Sequence, residues 1–260
     1  MNSVSAVILT KNEEDMLPGC LASLGWANEI VVVDSLSTDR TREIAEKAGA
    51  KFLEHRFENF SSQFNWGIEQ ASGPWVFMID ADEVVDEKLA NQIQTLLAEK
   101  PEFEIYNVIR DAFFMGRRMR ASSWSGEPLP RLFRKGSLSY EGLVHPIINM
   151  GGRKVGRLEG RLLHYTYRSI EQYFDKQRLY SMLWAKDAHS RGKRVGLPYI
   201  FANSGWRFFH NYLFRGEILD GGTGLLTASL STVYTFVKYV RLWGLNRMDD
   251  EKDGKSGSGG

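Results

Sequence analysis

Asp80, Asp82 and Glu83 put three carboxylates into four consecutive positions, directly after the apolar run 75–79. That run reads as a short strand buried on both faces. In an open α/β sheet, ligands collect at the carboxyl ends of strands, so these acids stand where chemistry would be done. Carboxylates this close repel one another unless a cation shares the site. A hard divalent ion such as Mg2+ or Mn2+ commonly bridges one or two carboxylates to the phosphates of a substrate. One reading is therefore a metal–diphosphate site. The other is an acidic strand-to-helix turn in which Asp82 or Asp86 caps the next helix.

The elements that must position these acids follow from the apolar pattern. Residues 4–9 form a β-rich run that leads into Thr10, Lys11, Asn12, Glu13 and Glu14. Helical spacing of Met16, Leu17, Leu21 and Leu24 predicts a helix over 14–24. A second strand at 30–33 ends in Asp34-Ser35-Leu36-Ser37, and Thr38 or Asp39 is placed to cap a helix over 40–48 that Gly49 ends. A strand at 51–54, a helix at 60–71 and the strand at 75–79 complete an α/β alternation, which predicts a largely parallel sheet. Thr10, Asn12, Glu13, Asp34, Ser35 and Asp82 then fall just past strand ends on one rim. Neither GxGxxG nor GxxxxGK[ST] occurs, so side chains and a metal, rather than a glycine cradle, must hold any nucleotide.

Composition narrows the classes. The 260 residues are 43% hydrophobic and 25% charged, as in a globular chain with a real core. One cysteine, Cys20, excludes an internal disulfide framework and fits a reducing compartment. No secretory leader is legible in MNSVSAVILT, and no uncharged run of spanning length occurs. The formal net charge of +1 hides a polarity: residues 1–105 carry 19 acids and 8 bases, and 106–247 carry 9 acids and 23 bases. That asymmetry points to an anionic substrate or surface. Nucleic acid is not expected, since no recognisable binding module is present.

ILTKNEE, VVVDSLSTDRT, Gln63-Phe64-Asn65 and IDADE, in that order, resemble inverting family-2 glycosyltransferases of the GT-A fold. The likeness is strongest to bacterial lipopolysaccharide-core β-1,4-glucosyltransferases and covers nearly the whole chain. It implies an α/β, Rossmann-like, mostly parallel sheet with a C-terminal amphipathic helical region. It also implies a UDP-sugar donor held by Thr10, Asn12, Glu13, Asp34, Ser37 and Gln63. Asp80, Ala81 and Asp82 would serve ribose or sugar and the diphosphate, with Asp82 binding Mg2+ or Mn2+. Many relatives carry a lysine where this chain has Phe64.

Trp124 and Glu127 precede Arg131-Leu132-Phe133-Arg134 at the offsets seen in such enzymes, which adds Arg131 and Arg134 to the donor set. An inverting transfer needs a general base for the acceptor hydroxyl. Glu127 is the first candidate, and Glu141 and His145 are the second choices, because Pro146 stands where relatives often have a glutamate. His145 and His164 are otherwise read as structural. Residues 169–190 read as an amphipathic helix, on which Lys176 and Arg178 would meet the departing diphosphate.

Aromatics interleaved with Arg207, His210 and Arg215, and a second apolar pattern over 225–243, suit helices lying in a headgroup layer. The expected organisation is a nucleotide-sugar half (1–105), an acceptor-binding and catalytic half (106–199), membrane-associating helices (200–247) and a flexible tail (248–260). The expected acceptor is a lipopolysaccharide core or another lipid-linked glycan. The expected site of action is an anionic membrane surface, the cytoplasmic face of a bacterial inner membrane. The alternatives are a haloacid-dehalogenase-type phosphatase with Asp80 as nucleophile, or a membrane adaptor without catalysis.

Overall fold

The computed structural model describes residues 2–121, 124–142 and 146–256, with side chains to 249. The chain forms two compact units, Met1–Phe113 with Gly126–Thr166, and Phe114–Ser125 with Tyr167–Gly260. It therefore passes between units at 113/114, 125/126 and 166/167, and not at the expected 105/106 and 199/200.

In the first unit, β1 (Val4–Thr10), β2 (Glu29–Asp34), β3 (Lys51–Glu54) and β4 (Trp75–Asp80) pair in parallel in the order β3-β2-β1-β4. Their connections carry α1 (Leu17–Ala22), α2 (Thr41–Lys47) and α3 (Phe60–Gln70). Helix α1 is shorter than its apolar spacing predicts and begins at Leu17-Pro18, where proline suits a first turn. Successive strand residues feed opposite faces: Ala6, Ile8, Val32, Phe77 and Ile79 enter one core, and Val7, Val31, Val33, Val76 and Met78 the other. A sheet covered on both sides explains the unbroken apolar runs. Gly67 lets α3 lie close on this sheet, because a Cβ there would stand 2.9 Å from Val7 Cγ1.

Beyond β4 the sheet continues with antiparallel partners. It uses β5 (Glu83–Val85), β6 (Ile105–Phe114), β8 (Glu127–Arg134) and β11 (Val155–Tyr167), in the order β4-β8-β6-β11-β5. Between them in the chain come α4 (Glu87–Ala98), the two-residue β7 (Arg117–Arg118), and the separate hairpin β9 (Ser139–Glu141) and β10 (Ile147–Asn149). Strand β5 lies four strand spacings from β4, about 19 Å across a flat sheet, yet only Ala81 and Asp82 separate them. Three Cα–Cα steps reach about 11 Å, so the sheet must curl. That curl closes around the acids.

The second unit holds α5 (Ile170–Ser190), α6 (Leu197–Phe209), a π-helical turn at His210–Phe214, a 3-10 turn at Glu217–Asp220, and α7 (Gly221–Ser256). Ser169 caps α5 by accepting from Gln172 N. The buried Asp220 accepts from Arg120 N (2.8 Å) and Ala121 N (2.9 Å), and the buried Glu217 accepts from Trp124 Nε1 (3.2 Å) and Thr227 Oγ1 (2.9 Å). These two acids tie the 114–125 segment to the start of α7. Within the expected tail (248–260) the backbone is helical through Ser256, the end of α7. No described helix is long and apolar enough to cross a membrane.

Candidate active site

Parallel register brings the strand ends together. Thr10 pairs with Asp34 and Leu9 with Asp80, so the two aspartates flank β1 on one rim, about 10 Å apart by strand spacing. The Asp34 carboxylate, 1% exposed, accepts from Thr10 Oγ1 (2.8 Å), Ser37 N (2.6 Å) and Ser37 Oγ (2.5 Å). Ser37 Oγ in turn accepts from Asn12 N (2.7 Å), and Asn12 Oδ1 accepts from Thr38 N (2.8 Å). Glu13 N donates to Thr41 Oγ1 (2.9 Å). Asn12 (φ 55°) and Leu36 (φ 63°) are left-handed, a conformation that is costly for leucine and persists only where the surroundings fix it. Gln63 reaches the same loop from α3, donating to Ser35 Oγ (3.1 Å) and meeting His55 Nδ1 (2.7 Å).

The acid triplet resolves into three different roles. Asp86, not Asp82, is the N-cap of α4, accepting from Leu89 N at 2.7 Å. Glu83 has no exposure, and its Oε1 accepts from Arg131 Nη2 at 2.7 Å, the same nitrogen that donates to Asp80 Oδ2 at 2.8 Å. Burial pushes the Glu83 carboxyl up to about 7, against the lowering pull of Arg131. The two carboxylates raise the Arg131 guanidinium above its ordinary value in spite of its burial. Arg131 reaches this position because β8 carries a register shift there: Tyr106 pairs with Leu132 and Asn107 with Pro130, leaving Arg131 as the extra residue of a bulge. Bulges of this kind re-aim side chains beside active sites. Arg110 extends the network, approaching Glu83 at 3.9 Å and bonding Glu127 at 3.1 Å. The Nε atoms of Arg110 and Arg131 are buried without a partner. Cys20 lies beneath, its thiol 3.6 Å from Asp80 O, and burial followed by the nearby acids pushes it well up.

Asp82 faces a histidine that the sequence reading left as structural. Antiparallel pairing of β5 with β11 sets His164 opposite Glu83, and His164 Nε2 lies 3.3 Å from Asp82 Oδ2, with Thr166 Oγ1 3.1 Å from the other ring nitrogen. Among the described residues no group of three or more His, Cys, Asp or Glu side chains forms a metal cage. A carboxylate and an imidazole at one point nevertheless fit a cation that takes its remaining ligands from phosphate oxygens and water, as Mg2+ and Mn2+ do.

The other expected site residues divide. Ala81 is buried in the core and offers backbone only. Glu127 is exposed at the start of β8 and held by Arg110, while Glu141 is exposed and bonded to Asn149 Nδ2 at 2.6 Å. His145 lies outside the described residues. Arg134 is a correction. The antiparallel pairing of β8 with β4 puts it opposite Trp75, at the far end of β4 from Asp80 by about 16 Å, where it pairs with Glu104. Lys176 and Arg178 belong to the second unit: Lys176 Nζ lies 5.6 Å from the Tyr167 ring, and Arg178 lines a cavity with α7. Phe64 stacks on Tyr140 with ring centroids 4.4 Å apart. Burial pushes the Tyr140 phenol up to about 12 beside Arg131.

Comparison with known proteins gives the family. Residues 5–155 match the family described as Glycosyl transferase family 2. The chain is 30% identical over 252 residues to the lipopolysaccharide core biosynthesis glycosyltransferase LpsC of Rhizobium meliloti (strain 1021), covering 92% of each. It is 28% identical to an uncharacterized glycosyltransferase of Rickettsia felis, covering 93% of this chain and 89% of that one. Among solved structures it is similar to S. aureus TarS 1-349, with a TM-score of 0.48 and 16% identity over 91% of this chain and 90% of that one.

Proposed function

The chain belongs to glycosyl transferase family 2 and has a GT-A-like α/β fold, and on that premise we propose that it moves a hexose, glucose in our reading, from a UDP-sugar to a lipopolysaccharide-core or other lipid-linked glycan, with inversion at the anomeric carbon. The observation that carries this reading is the shared rim: the register that sets Thr10 beside Asp34 and Leu9 beside Asp80. A nucleotide held there needs no glycine loop.

In this mechanism the Asp34 loop, locked by Thr10, Ser37 and Asn12, receives the nucleoside. Asp80, oriented by the Arg131–Glu83 pair, accepts from ribose or sugar hydroxyls. Asp82 and His164 would hold Mg2+ or Mn2+, which when bound neutralises charge on the diphosphate. Glu127 takes the proton of the acceptor hydroxyl as its oxygen bonds the anomeric carbon; the bond to UDP breaks on the opposite face and its electron pair leaves with UDP. Arg110, donating to Glu127 at 3.1 Å, holds that carboxylate in place. The acceptor class is supported by the named function of the Rhizobium meliloti relative and by the basic, aromatic-rich second unit, which fits work at the cytoplasmic face of an inner membrane.

Calorimetry with UDP-hexoses in the presence and absence of Mg2+ or Mn2+, followed by UDP release with inner-core lipopolysaccharide, tests the reading. Cation-dependent donor binding that Asp82→Asn weakens at least about tenfold is expected. No cation-dependent binding of any UDP-hexose would sink it.

A further inference from the structure

Two lysines of the second unit share one aromatic wall. Lys238 Nζ on α7 lies 4.5 Å from the Trp184 ring centroid, 5.3 Å from Tyr234 and 5.3 Å from Tyr239. Lys193 Nζ, just past α5, lies 5.5 Å from Trp184, 5.7 Å from Tyr199 and 5.3 Å from Tyr239. Both ammonium groups therefore approach the same two rings, and Arg207 of α6 is near enough for its charge to act on Lys238 and Tyr239. Among the described residues none of these three cations is paired with a carboxylate. Two acids of the surrounding helices are engaged elsewhere, Asp187 with Arg191 and Asp249 with His189.

Such a cluster is unfavourable as it stands. Burial first, then the charges of Arg207 and Lys193, push the Lys238 amine down to about 8. Ring faces return part of the cost of drawing an ammonium from water, but they do not cancel the repulsion of like charges. An anion does, and phosphate oxygens accept from several ammonium groups at once.

The surroundings say which kind of phosphate. Phe201 (64% exposed) and Phe236 (37%) lie with ring centroids 5.6 Å apart, and Leu197 and Val240 are also exposed. A soluble phosphate has no use for uncovered aromatics on the same helices, whereas a lipid layer supplies both headgroup and hydrocarbon. The second unit's segments also carry 17 Lys and Arg against 9 Asp and Glu, which favours an anionic surface. We propose that Lys193, Lys238 and Arg207 form a headgroup-phosphate site that docks α5, α6 and α7 on an anionic lipid layer. This deepens, and rests on, the membrane part of the functional reading.

The test is co-sedimentation of the full chain with phosphatidylcholine vesicles, with and without phosphatidylglycerol, in the absence of donor. Its outcome is thus separate from that of the glycosyl-transfer assay. Binding that depends on phosphatidylglycerol is expected, falling about fivefold for each lysine removed and about 30-fold for Lys193→Gln/Lys238→Gln. Lys193→Arg/Lys238→Arg should retain it, and Lys47→Gln/Lys100→Gln, an equal charge change on the first unit, should leave it within about twofold. Amine acetylation of the unaltered protein gives a readout free of folding effects: phosphatidylglycerol vesicles should protect Lys193 and Lys238 and not Lys47 or Lys100. Equal labelling with and without vesicles, or equal losses in the two Gln pairs, overturns the site. Thermal stabilisation by free inorganic phosphate through the same lysines, without vesicle binding, overturns the lipid assignment.

Discussion

Replacing Arg131 by methionine is the sharpest probe of the buried network. The substitution roughly preserves side-chain length but removes the Nη2 that serves both Glu83 (2.7 Å) and Asp80 (2.8 Å). Glu83 has no exposure, so it cannot regain water without opening the sheet. Each lost bond to a charged group is worth roughly 1.5–3 kcal/mol. Stranding one member of a buried pair costs about 3–5 kcal/mol, a figure that already contains those bonds. We expect a loss of about 4 kcal/mol, which corresponds to roughly a thousandfold faster opening-limited exchange. Native-state hydrogen exchange read on peptides from β4 and β8 measures this locally, whatever the second unit does. Glu83→Leu on top of Arg131→Met removes the stranded acid and should recover about 2 kcal/mol. If Arg131→Met changes exchange in β4 by less than about fivefold, or the double variant exchanges faster than the single, the network does not hold the rim.

Four further outcomes follow from the same geometry. Glu127→Gln should lower kcat by about 10²–10⁴ with UDP affinity unchanged; an unchanged kcat moves the base to Glu141 or His145. His164→Gln, which removes the ring at Asp82 Oδ2, should weaken Mn2+-dependent UDP binding about 10–100-fold by calorimetry. Thr10→Val should destabilise by about 1.5–3 kcal/mol in hydrogen exchange of β1 and β2, because it removes a donor from the buried Asp34 carboxylate. Glu29 gives a pH signature: burial alone would raise its carboxyl, but bonds from Ser5 and Ser72 outweigh that and hold it below its ordinary 4.5. Its contribution is therefore intact above that value and lost as pH falls through the lowered one, and a Glu29→Gln variant should flatten that part of a thermal-melt pH series.

The site was legible where chemistry follows a strand in the chain. Thr10, Asn12, Asp34, Ser37 and the acid triplet stand directly behind apolar runs, and parallel pairing of consecutive βα units gathers such positions on one rim. Arg131 and Arg134 looked equivalent in sequence, three residues apart. Antiparallel pairing separates them, because β8 runs back along β4 and carries Arg134 to the opposite end while a bulge turns Arg131 inward. Likewise nothing local marks Asp86 as the cap and Asp82 as the acid that keeps its place at the rim; the start of α4 decides it.

Local pattern thus determined the four parallel strands, most of the helices and the polar strand ends, since alternation, capping and apolar periodicity act over a few residues. Only the tertiary structure decided the partners: His164 meets Asp82 across 82 positions, Glu83 is sealed under Arg131, and Lys193 joins Lys238 on one aromatic wall. Those contacts come from sheet curl and helix packing, in which every strand and helix constrains every other, and no short window of sequence holds that information.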